Sequence, residues 1–210
     1  MMLFKQKDQV DIIKQIIRKL YKTIDGTYIS LAERQRLAIV NTDLTYGEMA
    51  PEVFAEMLAV VKPQPGEVFY DLGSGTGKPI YTAALLYDWK KCCGVELLPG
   101  LFEVSCALCP RFLAMREVKK YFSGRHFPIE FVLQDFLQVD FQEADVVYVH
   151  ASTFSPYTME PLALKFRELK SGARIIINTK RLEDAYFEKI SEDDREMEWG
   201  VSRVFTYMKK

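Results

Sequence analysis

The sequence has no uninterrupted apolar run of about 18 residues, the length that a membrane-spanning helix requires. Its first apolar region, in MMLFKQKDQVDIIKQII, is broken by charged residues, which is unlike a signal peptide. Internal repeats and low-complexity segments are also missing. These absences predict a soluble protein, cytoplasmic or otherwise intracellular, that has no membrane partner.

An excess of charge of one sign is missing as well. The 28 Lys and Arg residues and the 29 Asp and Glu residues leave a net charge of −1, so the chain as a whole is not drawn to nucleic acid or to an anionic membrane. One group of basic residues follows a predicted helix and its exit: Arg111, Arg116, Lys119, Lys120, Arg125 and His126. Such a group is more typical of a solvated helix face than of a DNA-binding track, and strong nucleic-acid binding is not expected.

Cysteines are few, and their arrangement argues against a metal site. Cys92 and Cys93 are adjacent, so in a strand their side chains point to opposite faces of the sheet. Cys106 and Cys109 have the Cys-x-x-Cys spacing of metal ligands. The same spacing fits two small apolar residues on the buried face of a helix, and we therefore expect no metal ion.

The hydrophobic period changes along the chain, from helical spacing to alternating strands and helices, after a break at residues 62–66. Helices are predicted at residues 10–21, within 31–40, and at 51–61, 79–88, 101–122 and 158–169. Strands are predicted at residues 68–72, 92–97, 130–134, 145–150 and 173–179, with a final hairpin strand at 199–208.

This order of elements predicts the fold class. A chain of 210 residues with 49% hydrophobic residues suits one globular domain with a full core. Strand–helix–strand repetition predicts an α/β fold with a mostly parallel, doubly wound, Rossmann-like sheet. Residues 1–45 are expected to form an N-terminal helical extension and residues 46–210 the α/β domain.

The stretch FYDLGSGTGKPIY, residues 69–81, places an acid and three alternating glycines after the first predicted strand. A phosphate-binding loop does not fit, because the glycine spacing is one residue short and Pro79 stands where a hydroxyl should bind magnesium. A dinucleotide fingerprint fits poorly, because Lys78 replaces its third glycine. The remaining interpretation is the Asp-x-Gly-x-Gly-x-Gly turn of the S-adenosylmethionine methyltransferases, which the stretch matches at every position.

The residues of this turn have distinct expected roles. Gly73, Gly75 and Gly77, with Ser74 between the first two, would let the methionine part of the cofactor lie against the backbone. Asp71 would attract the cofactor's ammonium group.

Two further acids stand at the ends of the next two predicted strands. Glu96 ends the second strand, about 20 residues past the glycines, where a carboxylate can bind ribose hydroxyls. Asp135 ends the third strand and could accept a hydrogen bond from an adenine amino group, with Phe136 packed on the ring. Three acids at three successive strand ends favour a nucleoside-containing ligand over a solvated surface.

The sequence resembles the catalytic domain of the non-SET histone-lysine methyltransferases, the disruptor-of-telomeric-silencing family, over roughly residues 44–180. The resemblance rests on motifs in a shared order: Tyr46-Gly47-Glu48, Asp71-Leu-Gly73-Ser-Gly75-Thr-Gly77, Gly94-Val95-Glu96, Asp135-Phe136-Leu137 and Phe154-x-Pro156. Trp199 and Tyr207 resemble the closing strand. The resemblance implies a class I methyltransferase.

The resemblance also implies a cofactor, an acceptor and site residues. S-adenosylmethionine, which leaves as S-adenosylhomocysteine, would bind to Tyr46, Gly47, Glu48, Asp71, Gly73, Ser74, Gly75, Gly77, Glu96, Asp135, Phe136 and His150. The acceptor would be a protein lysine, entering between residues 46–48, residues 150–157 and the C-terminal strand. The candidate channel walls are Tyr46, Phe154, Tyr157 and Tyr207. The candidate catalytic residues are Tyr46, Phe154 and His150.

Two departures from the family pattern leave alternatives open. His150 stands where the family has an asparagine that faces the cofactor and the incoming amine. Its imidazole could hold the cofactor, could remove a proton near the usual histidine pKa of about 6.5, or could be a strand-end histidine bonded to backbone. Lys78 replaces a family glutamine. A basic segment like that of the nucleosome-modifying members is not found, so a histone acceptor stays open. The other candidates are a small-molecule methyltransferase and a cofactor-binding module without transfer. The oligomeric state is not predicted.

Overall fold

The structure is a computed structural model that describes residues 6–197 and 200–210. Its helices are α1 Gln6–Leu20, α2 Gly26–Arg36, α3 Pro51–Val60, α4 Lys78–Leu86, α5 Pro99–Ala114, α6 Arg116–Tyr121 and α7 Pro156–Phe166. Its strands are β1 Val68–Leu72, β2 Lys91–Glu96, β3 Ile129–Leu133, β4 Val146–Val149, β5 Arg174–Asn178, β6 Phe187–Met197 and β7 Gly200–Lys209. Short 3-10 turns occupy Thr42–Leu44 and Phe136–Gln138.

One sheet contains all seven of these strands, in the order β3-β2-β1-β4-β5-β7-β6. The pairs among β1 to β5 are parallel, whereas β7 pairs antiparallel with both β5 and β6. This confirms the mostly parallel, Rossmann-like α/β fold. The strand order reverses between β1 and β4, and the carboxyl ends of the strands at such a reversal form a crevice where ligands bind.

Hydrophobic side chains cover both faces of the sheet. Cys92 belongs to the cluster on one face and Cys93 to the cluster on the other, as their adjacency predicts. Helix α1 adds a third cluster, in which Ile13, Ile16 and Leu20 pack with Tyr81 and Leu108. The N-terminal helix is therefore packed onto the α/β core, and its assignment as a separate extension stays a prediction.

Several predicted elements need correction. The long helix at residues 101–122 is two helices, because Met115 is extended, with φ −60° and ψ 133°. The helix placed within residues 31–40 begins earlier, at Gly26, where the Asp25 side chain accepts a hydrogen bond from the Tyr28 amide at 2.9 Å. Strand β6 was not predicted. The predicted strand at residues 199–208 starts at Gly200 in the structure, and Trp199 lies outside the described residues.

The predicted burial of the Cys-x-x-Cys pair is wrong, since Cys106 is exposed and Cys109 is only partly buried. Within the described residues, no group of three or more His, Cys, Asp or Glu side chains is arranged to hold a metal ion. Likewise, none of the helices in that part of the chain combines the length and the apolar character needed to cross a membrane.

Candidate active site at the carboxyl edge of the sheet

The glycine turn joins β1 to α4 and has three left-handed residues. The φ angles of Gly73, Gly75 and Gly77 are +86°, +55° and +82°, a region that side chains with a Cβ disfavour. A Cβ on Gly77 would lie 2.7 Å from the Phe131 ring, and one on Gly75 would clash with the Tyr46 ring. A Cβ on Gly73 would meet no described atom within 4 Å. Of the three, Gly73 is the glycine that leaves open space for a ligand.

Asp71, at the end of β1, is a buried acid that lacks a partner. Its side chain is 1% exposed, and neither carboxylate oxygen has a hydrogen-bond partner within the described chain. Burial, and secondly the nearby charge of Glu96, raise its pKa well above the usual value. Buried carboxylates without partners are costly and rare. The arrangement fits a site that a ligand cation, such as an ammonium group, completes.

Glu96, at the end of β2, holds the glycine turn in place. One of its carboxylate oxygens accepts hydrogen bonds from the amides of Leu97 at 2.9 Å and Leu98 at 2.8 Å, and the other accepts from Gly75 at 2.7 Å. Burial raises its pKa although these amides act to lower it. The predicted ribose contact remains a prediction, because in this structure backbone amides engage both carboxylate oxygens.

Tyr46 and Glu48 form a polar network over the glycine turn. The Tyr46 hydroxyl donates to Glu48 Oε1 at 3.0 Å and lies 2.9 Å from Thr76 Oγ1. Glu48 forms an ion pair with Lys78, whose ammonium lies 5.1 Å from the centre of the Tyr21 ring. Residues 46–48 therefore lie directly over the glycine turn.

Lys78 is a site residue whose role the sequence analysis missed. It begins α4, where a positive charge opposes the helix dipole. It lines a cavity together with Asp71 and Gly73, and its side chain is only 13% exposed. The sequence did contain a signal for this role: Lys78 follows the glycine turn in the first turn of a helix. A lysine is unfavourable there unless an anion compensates its charge.

Two small cavities meet at Gly73, His150 and Tyr46. The larger, about 80 Å³, is lined by the segment Asp43–Tyr46, the strand ends Gly73, Glu96, Asp135 and His150, and by Leu97, Leu98, Leu101, Phe136 and Phe154. The smaller, about 20 Å³, lies toward Asp71, Ser74 and Lys78 and is bordered by Gly47, Glu48, Met49, Pro79 and Tyr148. Since ligand sites usually enclose about 300–1,000 Å³, the walls of this cleft must move to admit a cofactor-sized molecule.

The far end of the larger cavity is aromatic. The rings of Phe136 and Phe154 stack with centroids 5.7 Å apart and an interplanar angle of 25°. Asp135 accepts a hydrogen bond from the Leu137 amide at 2.8 Å, which caps the following 3-10 turn. The structure therefore brings the predicted adenine-binding residues to one end of the cleft, with Asp71 toward the other cavity.

His150 lies at the junction of the two cavities, and the alternatives for its role stay predictions. Burial lowers the pKa of His150 to about 4, so the imidazole is neutral at pH 7. Its Nδ1 is 3.1 Å from the hydroxyl of Tyr148. Burial, and to a lesser extent the charge of Asp71, raise the pKa of Tyr148.

Two of the four candidate channel walls are not in the cleft. Tyr207 is buried in the core, where its hydroxyl accepts a hydrogen bond from the Leu182 amide at 3.1 Å. Tyr157 is 90% exposed and is not among the residues that line either cavity. Tyr46 and Phe154 do line the cleft, and their catalytic roles stay predictions.

Comparison with known proteins identifies the family. The model of the family described as "Histone methylation protein DOT1" matches residues 34–208. The chain belongs to the DOT1 family. This confirms the family resemblance of the sequence motifs.

The chain is similar to curated relatives named "Histone-lysine N-methyltransferase, H3 lysine-79 specific". It is 29% identical to that of Debaryomyces hansenii over 167 residues, 78% of this chain and 14% of the relative. It is 30% identical to that of Caenorhabditis elegans over 147 residues, 67% of this chain and 15% of the relative. With Aspergillus fumigatus the identity is 26% over 171 residues, covering 79% and 32%. The chain therefore matches less than a third of the length of each of these relatives.

Solved structures support the fold. An RNA methyltransferase from Salinibacter ruber, in complex with S-adenosyl-L-homocysteine, aligns with a TM-score of 0.59 at 20% identity, over 78% of this chain and 94% of that one. The B. subtilis tRNA methyltransferase TrmK aligns with a TM-score of 0.53 at 20% identity, over 73% and 65%. At these identities the likeness shows the class I methyltransferase fold alone.

Proposed function

We propose that this chain transfers the methyl group of S-adenosylmethionine to the amine of a protein lysine, with a histone as acceptor, and releases S-adenosylhomocysteine. The observation that carries the proposal is the buried, partnerless carboxylate of Asp71 beside the open space at Gly73, in a chain of the DOT1 family. A buried anion without a partner is stabilised by a ligand that supplies a cation.

The residues of the cleft fit the cofactor. Asp71 would bind its ammonium group, Lys78 its carboxylate after exchanging Glu48 for the ligand, and Gly73 would admit it next to the backbone. At the aromatic end, Asp135 and Phe136 would hold the adenine. When bound, the cofactor supplies a methyl group on a positively charged sulfur, which is already activated toward an amine.

The protein's own part is to position the acceptor and exclude water. The amine must be neutral to attack, and a buried cleft favours the neutral form because burial disfavours the ammonium. His150 is neutral at pH 7 and is too weak a base, with a pKa of about 4, to compete for the proton of a lysine. We infer that it accepts a hydrogen bond and orients the incoming amine.

A histone acceptor rests on the relatives, which are named for H3 lysine-79. The net charge of −1 gives the chain no overall positive charge to bind nucleic acid strongly. The proposed partner is the acceptor protein.

The test is transfer of label from methyl-tritiated S-adenosylmethionine to three pools: nucleosomes, a total protein lysate and a small-metabolite extract. Asp71→Asn serves as the cofactor-site variant. Asp184→Asn, whose carboxylate pairs with Arg167 outside both cavities, serves as the matched control. We expect label in a histone band with the wild type and the control, and at least tenfold less with Asp71→Asn.

Other outcomes change the assignment. Label in a protein other than a histone keeps lysine methylation and removes the histone. Label in the metabolite pool alone assigns a small-molecule acceptor. Normal cofactor affinity without label in any pool makes the chain a binding module.

A further inference from the structure

Asp43 joins two parts of the cleft that are far apart in the chain. It lies in the 3-10 turn that precedes Tyr46 and is 6% exposed. Its Oδ1 accepts a hydrogen bond from the Ser155 amide at 3.0 Å, and its Oδ2 accepts from the hydroxyls of Ser155 at 2.7 Å and Thr158 at 2.6 Å. Its backbone carbonyl accepts a fourth, from Thr153 Oγ1 at 3.4 Å.

These bonds make Asp43 a cap for α7 that comes from another part of the chain. Ser155 is the N-cap residue of α7, and its own side chain caps none of the helix amides. A carboxylate at a helix N-terminus compensates the helix dipole, and hydrogen bonds to a charged acceptor are about twice as strong as neutral ones. The carboxylate of Asp43 therefore stabilises the N-terminus of α7, and its removal should destabilise this contact.

The two segments that Asp43 joins both line the larger cavity. One wall consists of Asp43, Leu44, Thr45 and Tyr46, and the other carries His150 and Phe154. The cavity between them, about 80 Å³, is too small for a cofactor-sized ligand. One or both walls must move when the ligand enters or leaves.

We propose that Asp43 is a positioning residue that fastens the segment carrying Tyr46 to the loop carrying His150 and Phe154, so that the two walls close over the cofactor as a unit. The inference rests on the proposed function, because it takes the ligand of the cleft to be S-adenosylmethionine. Closure and ligand binding then stabilise each other. Weakening the contact lowers cofactor affinity, mainly through faster dissociation.

Four variants separate this role from a general structural one. Asp43→Ala removes all three side-chain hydrogen bonds, and Thr158→Val removes one of them. Asp43→Asn keeps the shape of the side chain, and its amide can donate to the hydroxyls of Ser155 and Thr158. The matched control is Asp184→Ala, a partly buried carboxylate that accepts hydrogen bonds from the Tyr186 amide and from Arg167 outside the cavities.

Cofactor and S-adenosylhomocysteine affinities are measured by calorimetry and dissociation rates by stopped flow. We expect Asp43→Ala to raise the dissociation rate about tenfold, Asp43→Asn and Thr158→Val about threefold, and Asp184→Ala less than twofold. The double variant Asp43→Ala/Thr158→Val should have the same dissociation rate as Asp43→Ala alone, because Asp43→Ala already removes the bond to Thr158. A dissociation rate for Asp43→Ala equal to that of Asp184→Ala would overturn the proposal.

Hydrogen exchange in the ligand-free protein tests the contact without the cofactor. Asp43→Ala should increase amide exchange at least tenfold in both residues 41–48 and residues 151–158, whereas Asp184→Ala should change neither. If only one of the two segments responds, they do not close as a unit and the proposal fails. If the wild type does not bind the cofactor, the proposed function fails, and the exchange result alone decides whether Asp43 couples the two walls.

Discussion

Substitution of Gly73 by alanine, compared with the same change at Gly66, tests where the cofactor meets the backbone. Both glycines are left-handed, with φ +86° and +83°, and a Cβ on either meets no described atom within 4 Å. Both amides donate to a carbonyl, Gly73 to Val95 at 2.9 Å and Gly66 to Asp88 at 2.8 Å. The two sites differ in their surroundings, since Gly73 lines the larger cavity and Gly66 lies in the turn before β1.

The loss of stability should be the same at both sites. An alanine in the left-handed region costs about 1–2 kcal/mol, and neither site adds a steric clash. For a chain of this length the melting temperature should fall by about 2–8 °C in each variant. Scanning calorimetry of the ligand-free proteins measures this.

The loss of cofactor affinity should differ. A methyl group at Gly73 would occupy space that the ligand needs, and we expect at least a tenfold weaker dissociation constant, about 1.4 kcal/mol. Gly66→Ala should stay within twofold of the wild type. Equal affinity in the two variants would refute the glycine-turn assignment, and a much larger loss of stability at Gly73 would show that the space there is not open.

Three further predictions follow from the buried groups. Lowering the pH from 7 to 5 should reduce the free energy of unfolding of the wild type by about 2 kcal/mol more than that of His150→Asn. The reason is that the folded state lowers the pKa of His150 from 6.5 to about 4, so the unfolded state binds more protons in this range. Urea unfolding at the two pH values measures this difference, and parallel curves would contradict the lowered pKa. Asp71→Asn should make the ligand-free protein more stable at pH 8 and abolish cofactor binding. The pKa of Asp71 is raised in the folded state, so the stability of the wild type falls as the pH rises above the pKa of the unfolded state. A variant that is less stable than the wild type would argue that the carboxylate has a partner. Gly75→Ala should destabilise more than Gly73→Ala, because its Cβ clashes with the Tyr46 ring, and Tyr46→Ala in the same chain should restore part of the loss, as thermal melts would show.

The sequence predicted the elements whose residues face the core. Strand β1 has the predicted bounds, and β2 to β5 differ from prediction by one residue at each end, because apolar runs bounded by turn signals mark strands clearly. Strand β6 could not be found in this way. It is an edge strand with a single buried residue, and its sequence FEKISEDDREM has no apolar period. Charged side chains on an edge strand oppose pairing with other chains.

The site was predictable where it depends on local motif and not where it depends on packing. Asp71, Gly73, Glu96 and Asp135 lie at strand ends of the parallel sheet, so their convergence follows from the topology. The pKa of His150 depends on burial, which the sequence does not show. The bond from Asp43 to Ser155 joins residues 112 positions apart, beyond any local pattern.

Three acids of the cleft are buried, and their partners show how differently they act. Asp43 accepts three hydrogen bonds through its carboxylate, and Glu96 accepts three backbone amides. Asp71 has no partner within the described residues. Since each buried charge must be compensated, the first two are compensated by the fold itself and serve to shape the site. Asp71 is left for a ligand, and the stability that it costs the ligand-free protein is regained when a cation binds.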